Sequence, residues 1–99
     1  MSERVIRQVV IRGRVQGVGY RDWTRHVARD RGIEGWVRNR QDGSVEAVFA
    51  GTPQAVSGMI AACRKGPSNS AVQAIQERDG TAEEFELRGD RAFAVLPTA

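Results

Sequence analysis

The sequence predicts an α+β fold in which two helices pack on one face of an antiparallel sheet, and three observations carry that prediction. Runs rich in β-branched residues alternate with two helical runs in the order β-α-β-β-α-β, followed by a short extra strand. An Asp-Gly dipeptide joins the two middle strands, which favours a tight antiparallel hairpin because glycine tolerates positive φ. No repeat, low-complexity tract or Pro/Gly/Ser-rich linker divides the 99 residues, so the elements are expected to build one domain over 1–99.

Taken in order, residues 5–13 (VIRQVVIRG) read as the first strand, with Val9, Ile11 and Gly13 on one face and Val10, Arg12 and Arg14 on the other. A loop at 15–19 leads into a helix over 20–31, which gathers Trp23, Val27 and Ala28 on one side and stops at Gly32. Strands over 35–40 and 44–50 form the hairpin around Asp42-Gly43. Thr52 is placed to cap a second helix with Pro53 in its first turn; Val56, Met59, Ile60 and Cys63 recur at helical spacing until Gly66-Pro67 ends the run. Alternation weakens over 71–78, residues 80–90 are polar and acidic, and 91–96 reads as the last short strand before Pro97. This order is the ferredoxin-like arrangement, a layout that hosts many unrelated functions.

Composition narrows the function classes. A hydrophobic content of 40%, with Trp23, Trp36, Phe49, Phe85 and Phe93, supports a packed core without staples. Cys63 is the only cysteine, which excludes an intramolecular disulfide and a thiolate zinc cluster and fits a reducing compartment. The first ten residues hold no long apolar segment, so a soluble cytoplasmic protein with no membrane role is expected. The net charge of +3 is unevenly placed: residues 1–40 carry ten arginines against four acids, and 41–99 carry five bases against eight acids. The basic first part is where an anion site is to be sought, and its charge also permits nucleic acid as a partner.

The stretch Gly13-Arg14-Val15-Gln16-Gly17-Val18-Gly19-Tyr20-Arg21 lies between the first strand and the first helix. Such a turn exposes backbone N–H groups without intrahelical partners, at the positive end of the helix dipole. Gly17 and Gly19 let the loop curl its N–H groups inward, and Arg21 adds a forked, permanently charged donor. An anion such as phosphate fits that set, which also reads as an ordinary glycine turn followed by a solvated arginine. The segment lacks the Gly-Lys-Ser/Thr of a P-loop and the spacing of a dinucleotide fingerprint, so no nucleotide cofactor is expected.

The same nine residues resemble the first signature of the acylphosphatase family. Gly35-Trp36-Val37-Arg38-Asn39 resembles the second, and Asp42-Gly43-Ser44-Val45-Glu46 continues it. The resemblance covers nearly the whole chain to about Val72; Ala71 replaces a frequent arginine, and Tyr20 stands where many members have phenylalanine. It implies a metal-free, cofactor-free hydrolase of acyl phosphates. Val15, Gln16, Gly17, Val18, Gly19, Tyr20 and Arg21 would bind the phosphoryl group, and Asn39 would hold the attacking water. The expected partner is a small acyl phosphate rather than nucleic acid or membrane, and the expected state is a monomer.

Other residues receive plainer readings. His26 is expected at the surface and Cys63 in the core, while Trp23 and Trp36 are expected to fill core or near-core space. Asp22 either orients Arg21 or begins the helix, and Arg12, Arg14, Arg38 and Arg40 are either steering charges or solvated ones. Two alternatives compete with the hydrolase: a basic nucleic-acid-binding module, which lacks the aromatic residues on its central strands that base stacking requires, and a module that binds acyl phosphates without turnover.

Overall fold

A computed structural model describes residues 3–99. The elements are β1 (Val5–Arg14), α1 (Tyr20–Asp30), β2 (Glu34–Asn39), β3 (Val45–Gly51), α2 (Pro53–Lys65), β4 (Ala71–Asp79), α3 (Ala82–Glu86) and β5 (Phe93–Val95). The five strands form one sheet in the order β4-β1-β3-β2-β5. The ferredoxin-like arrangement is therefore present, with β1 and β3 at its centre.

Alternation along the central strands divides the apolar residues between two faces. Val9, Ile11, Val37, Val45, Ala47 and Phe49 meet Tyr20 and Ala28 of α1 and Val56, Met59, Ile60 and Cys63 of α2 in the main core. The buried row of α1 is Tyr20, Thr24 and Ala28, whereas Trp23 and Val27 sit half-buried beside it. Thr24 is tolerated there because its hydroxyl donates to the Tyr20 carbonyl at 2.8 Å. At α2 the expected cap forms: the Thr52 hydroxyl accepts from the Ala55 N–H at 3.1 Å, and Pro53 occupies the first turn.

The second face carries a smaller cluster of Trp36, Val48 and Ala94, flanked by Ile6, Phe85 and Leu96. It also carries Glu46, only 8% exposed. That carboxylate accepts from Gln8 Nε2 and Arg38 Nε, each at 2.8 Å, so its charge is paired and hydrogen-bonded as a buried charge must be. Arg38 in turn lies 4.7 Å over the Trp36 ring.

Two expectations need correction. The polar stretch after β4 contains α3, a third helix, and it lies on the face of the sheet opposite α1 and α2. Its start is a capping box: Thr81 Oγ1 accepts from the Glu84 N–H at 3.1 Å, and Glu84 Oε1 accepts from the Thr81 N–H at 2.9 Å. Arg78 grips the same carboxylate through both oxygens, and Trp36 Nε1 donates to the Glu84 carbonyl at 2.6 Å. The sheet is also not wholly antiparallel, because β5 runs parallel to β2 from Gly35↔Phe93 to Val37↔Val95. The end of β4 lies opposite Arg7, and β2 begins at this same end of the sheet, opposite Ala50 of β3. A link that crosses the sheet there must send β5 back the way β2 runs.

The weak alternation of β4 has a local cause. Arg12 faces Ala74 but Gly13 faces Val72, so β4 holds an extra residue at this point. Val72 and Ile75 can then both pack on the main core although they are three positions apart.

The α3 anchor generates a pH prediction. Arg78, then burial opposed by the Thr81 N–H, sets the Glu84 carboxyl, whose pKa falls from 4.5 to about 2. A depressed carboxyl stabilises the fold above its unfolded pKa, and that contribution is lost as pH falls from about 4.5 towards about 2. In a Trp23→Phe background, Trp36 fluorescence should report α3 loosening over this window, and Glu84→Gln should abolish the transition. An unchanged transition in the Gln variant would show that another group controls it.

Candidate active site

The site is assembled by strand register. Ile11 of β1 and Asn39 of β2 both pair with Val45 of β3, so the three residues form one row across the sheet. The loop that follows β1 therefore emerges two strands from Asn39 and at the same end. To reach it, the loop must fold back over β3.

Gln16 fastens the loop in that position. Its Nε2 donates to the carbonyls of Arg40 and Ser44, both at 2.8 Å, at the neck of the β2–β3 hairpin. That hairpin is held by its own turn, in which the Asp42 carboxylate accepts from the Ser44 N–H at 3.0 Å. The Ser44 hydroxyl bond and this backbone bond, with Arg12 behind them, pull the Asp42 carboxyl down to about 2. Asp42 thus stays charged at every pH at which the protein would work.

The loop next turns into α1 through Gly19, whose φ of 78° and ψ of 20° are left-handed; Gly17 has a φ of 74°. A side chain would be strained at either position, and Gly19 caps the helix without a side-chain acceptor of its own. The first backbone bond of α1 runs from the Trp23 N–H to the Gly19 carbonyl at 3.0 Å. Among the described residues, no acceptor engages the N–H groups from Gln16 to Asp22. Together they make a cradle of free donors at the helix start, of the kind that can receive an anion.

A cavity of about 310 Å³ opens onto this cradle, lined by Val15, Gln16, Gly17, Gly19, Tyr20, Arg21, Asp22, Asn39 and Val95. Arg21 is half-buried there, with no ion pair to any described residue. Asn39 presents Oδ1, a buried atom without a hydrogen-bond partner. A free guanidinium, free N–H groups and an unused amide oxygen around one cavity can hold an anion and a neighbouring water.

Most of the predicted site residues meet here, but their parts differ. Val15, Gln16, Gly17, Gly19, Tyr20, Arg21 and Asn39 all line the cavity, whereas Val18 packs its side chain on the main core. Gln16 spends its side chain on the hairpin, leaving only its backbone to a ligand. Asp22 pairs with Arg25 at 2.9 Å and lies 3.5 Å from His26, so it does not orient Arg21. His26 is exposed as expected. Of Arg12, Arg14, Arg38 and Arg40, Arg38 is held by Glu46, and Arg12 lies 3.3 Å from Asp42. Val95 was not foreseen; its only sequence signal was an apolar residue in the final strand.

The family model described as Acylphosphatase matches residues 7–94, which include both the loop and Asn39. The chain belongs to the acylphosphatase family. An acylphosphatase of Bradyrhizobium diazoefficiens is 55% identical over 96 residues, covering 96% of this chain and 97% of the relative. The crystal structure of acylphosphatase from Bacillus subtilis superposes with a TM-score of 0.81 at 32% identity, covering 93% of this chain and 98% of that one. The acylphosphatase structure from Coxiella burnetii gives 0.83 at 27% identity, covering 94% and 93%.

Within this acylphosphatase framework Tyr20 has a structural task. Its ring is 2% exposed, and its hydroxyl donates to the Cys63 carbonyl at 2.6 Å. That carbonyl lies in the last turn of α2, where the helix offers no partner. One hydroxyl thus ties the cradle's helix to the second helix, and burial raises its pKa well above that of a free phenol.

Two predictions follow from these contacts. Gln16→Ala releases the loop from the hairpin and should lower kcat/KM by about 10- to 100-fold, since a misplacement of about 1 Å has effects of this size; steady-state kinetics checks it. Tyr20→Phe leaves the Cys63 carbonyl without its donor and should destabilise the protein by about 1–2 kcal/mol in urea unfolding.

Proposed function

We propose that this acylphosphatase hydrolyses acyl phosphates to a carboxylate and inorganic phosphate, with Arg21 and the Gln16–Asp22 backbone holding the phosphoryl group and Asn39 holding the water. The observation that carries the residue roles is the cavity in which free loop N–H groups, the unpaired Arg21 guanidinium and the unpartnered Asn39 Oδ1 converge.

The chemistry asks little more of the protein. A carboxylate is a weakly basic leaving group, so it departs without strong acid catalysis. Charge on the equatorial oxygens is met by fixed N–H dipoles and by Arg21, and one such donor contributes about 3 kcal/mol in the transition state. Asn39 Oδ1 accepts a hydrogen from the attacking water and aims its lone pair at phosphorus, which removes part of the entropic barrier. An amide is a poor base. The water's proton therefore passes to a phosphate oxygen of the substrate, and the products leave as carboxylate and phosphate.

The same reading makes the enzyme metal-independent, monomeric and cytoplasmic, acting on a free small molecule. Its donors are all nitrogen and amide groups, which suit an anion rather than a cation. Among the described residues, no group of three or more His, Cys, Asp or Glu side chains is arranged to hold a metal ion. Against nucleic acid stands the second face of the central strands, where Gln8, Val10, Glu46, Val48 and Ala50 offer no aromatic platform, and α3 covers part of it.

Benzoyl phosphate hydrolysis in excess EDTA tests the reading. Activity should survive the chelator and fall by about 10²- to 10³-fold in Arg21→Ala, with little recovery in Arg21→Lys, because a point charge does not replace a fork. Asn39→Ala should lower kcat far more than it raises KM. Loss of wild-type turnover in EDTA would overturn metal independence, and full activity of either alanine variant would overturn that residue's role.

A further inference from the structure

A second cavity, of about 500 Å³, lies towards the far end of α1 and shares no residue with the first. Arg25 and Arg29 line it from one face of the helix, one turn apart, and Arg91 lines it from the segment before β5. Ile33 and Phe93, 2% and 9% exposed, supply its apolar lining. The Phe93 ring is held by a stacked contact with Phe49, at 6.1 Å between centroids.

The charges here are not all free. Arg25 donates to Asp22 at 2.9 Å, and Glu34, the cavity's one carboxylate, accepts from Arg4 at 2.8 Å. Arg29 and Arg91 have no ion pair with any described residue. Two uncompensated guanidinium groups above an apolar floor complement a negatively charged group with an apolar body. The negative end of the α1 dipole lies beside Arg29 and weakens the pull on a bare anion. Selectivity must then come from the apolar lining, which favours a chain-bearing carboxylate over a small inorganic ion.

We infer that this cavity is a second ligand site, taking a carboxylate with an apolar chain, its head between Arg29 and Arg91 and its chain against Ile33 and Phe93. The site is independent of the proposed catalytic roles, because none of its residues lines the first cavity.

Calorimetric titration with octanoate, with acetate as the chainless control, tests it. Octanoate should bind one per chain, at least about tenfold more tightly than acetate, since several buried CH₂ groups separate the two. Arg29→Gln combined with Arg91→Gln should weaken octanoate by about tenfold or more, the scale for losing partly exposed charge-assisted contacts. Arg21→Ala should leave octanoate binding intact. Arg91→Gln alone, in an exposed irregular segment, should weaken binding several-fold and is read if the double variant melts early. Absence of saturable binding, equal affinity for acetate, equal affinity in the arginine variants, or loss of binding in Arg21→Ala would each overturn the proposal. No turnover is measured, so a failed hydrolysis assay would leave the result standing.

Discussion

The register of β3 between β1 and β2 is the constraint on which the site depends. Val45 pairs with Ile11 on one side and Asn39 on the other. A slip of one residue in either ladder would turn every alternating side chain to the opposite face. It would bury Glu46 and Arg38 in the main core, expose Val45 and Ala47, and carry Asn39 away from the loop. Core packing and the geometry of the candidate site are thus the same condition on the chain, and the sheet cannot satisfy one while failing the other.

Around that register, the irregular parts are held by polar contacts at their ends. Gln16 reaches two hairpin carbonyls, Asp42 closes the hairpin on Ser44, Tyr20 meets the end of α2, and Glu84 caps α3 while its carbonyl receives Trp36. The Ser44 N–H, the Cys63 carbonyl and the Glu84 N–H gain in this way partners that their own elements do not supply. The loop from Val15 to Gly19 therefore keeps its N–H groups free for a ligand without being slack.

Much of this was legible in the residues, and what was not has identifiable causes. The glycine loop and Arg21 announced an anion cradle because turn chemistry and helix ends act locally. Asn39 emerged only through resemblance, since nothing local marks one strand asparagine as facing a loop two strands away. Gln16 was assigned to the ligand, because sequence does not tell where a long amide side chain points. The helix at Ala82–Glu86 was missed although Thr81 and Glu84 have capping-box spacing; five residues are too few to display a period. The direction of β5 is a property of the crossing link, and a three-residue strand carries no pattern that encodes it. In β4 the extra residue breaks the twofold rhythm from which strands are read.

The burial of Cys63 has a chemical consequence. The thiol is inaccessible, and burial pushes its pKa up to about 12. At neutral pH the thiol stays protonated, so the thiolate, the form that reacts with oxidants and electrophiles, is scarce. The groups around the first cavity include guanidinium, amide, carboxylate and phenol, but no thiol or thioether. With its one thiol shut in the core, the protein offers peroxide or glutathione no accessible cysteine, and the lining of the first cavity holds no sulfur to oxidise.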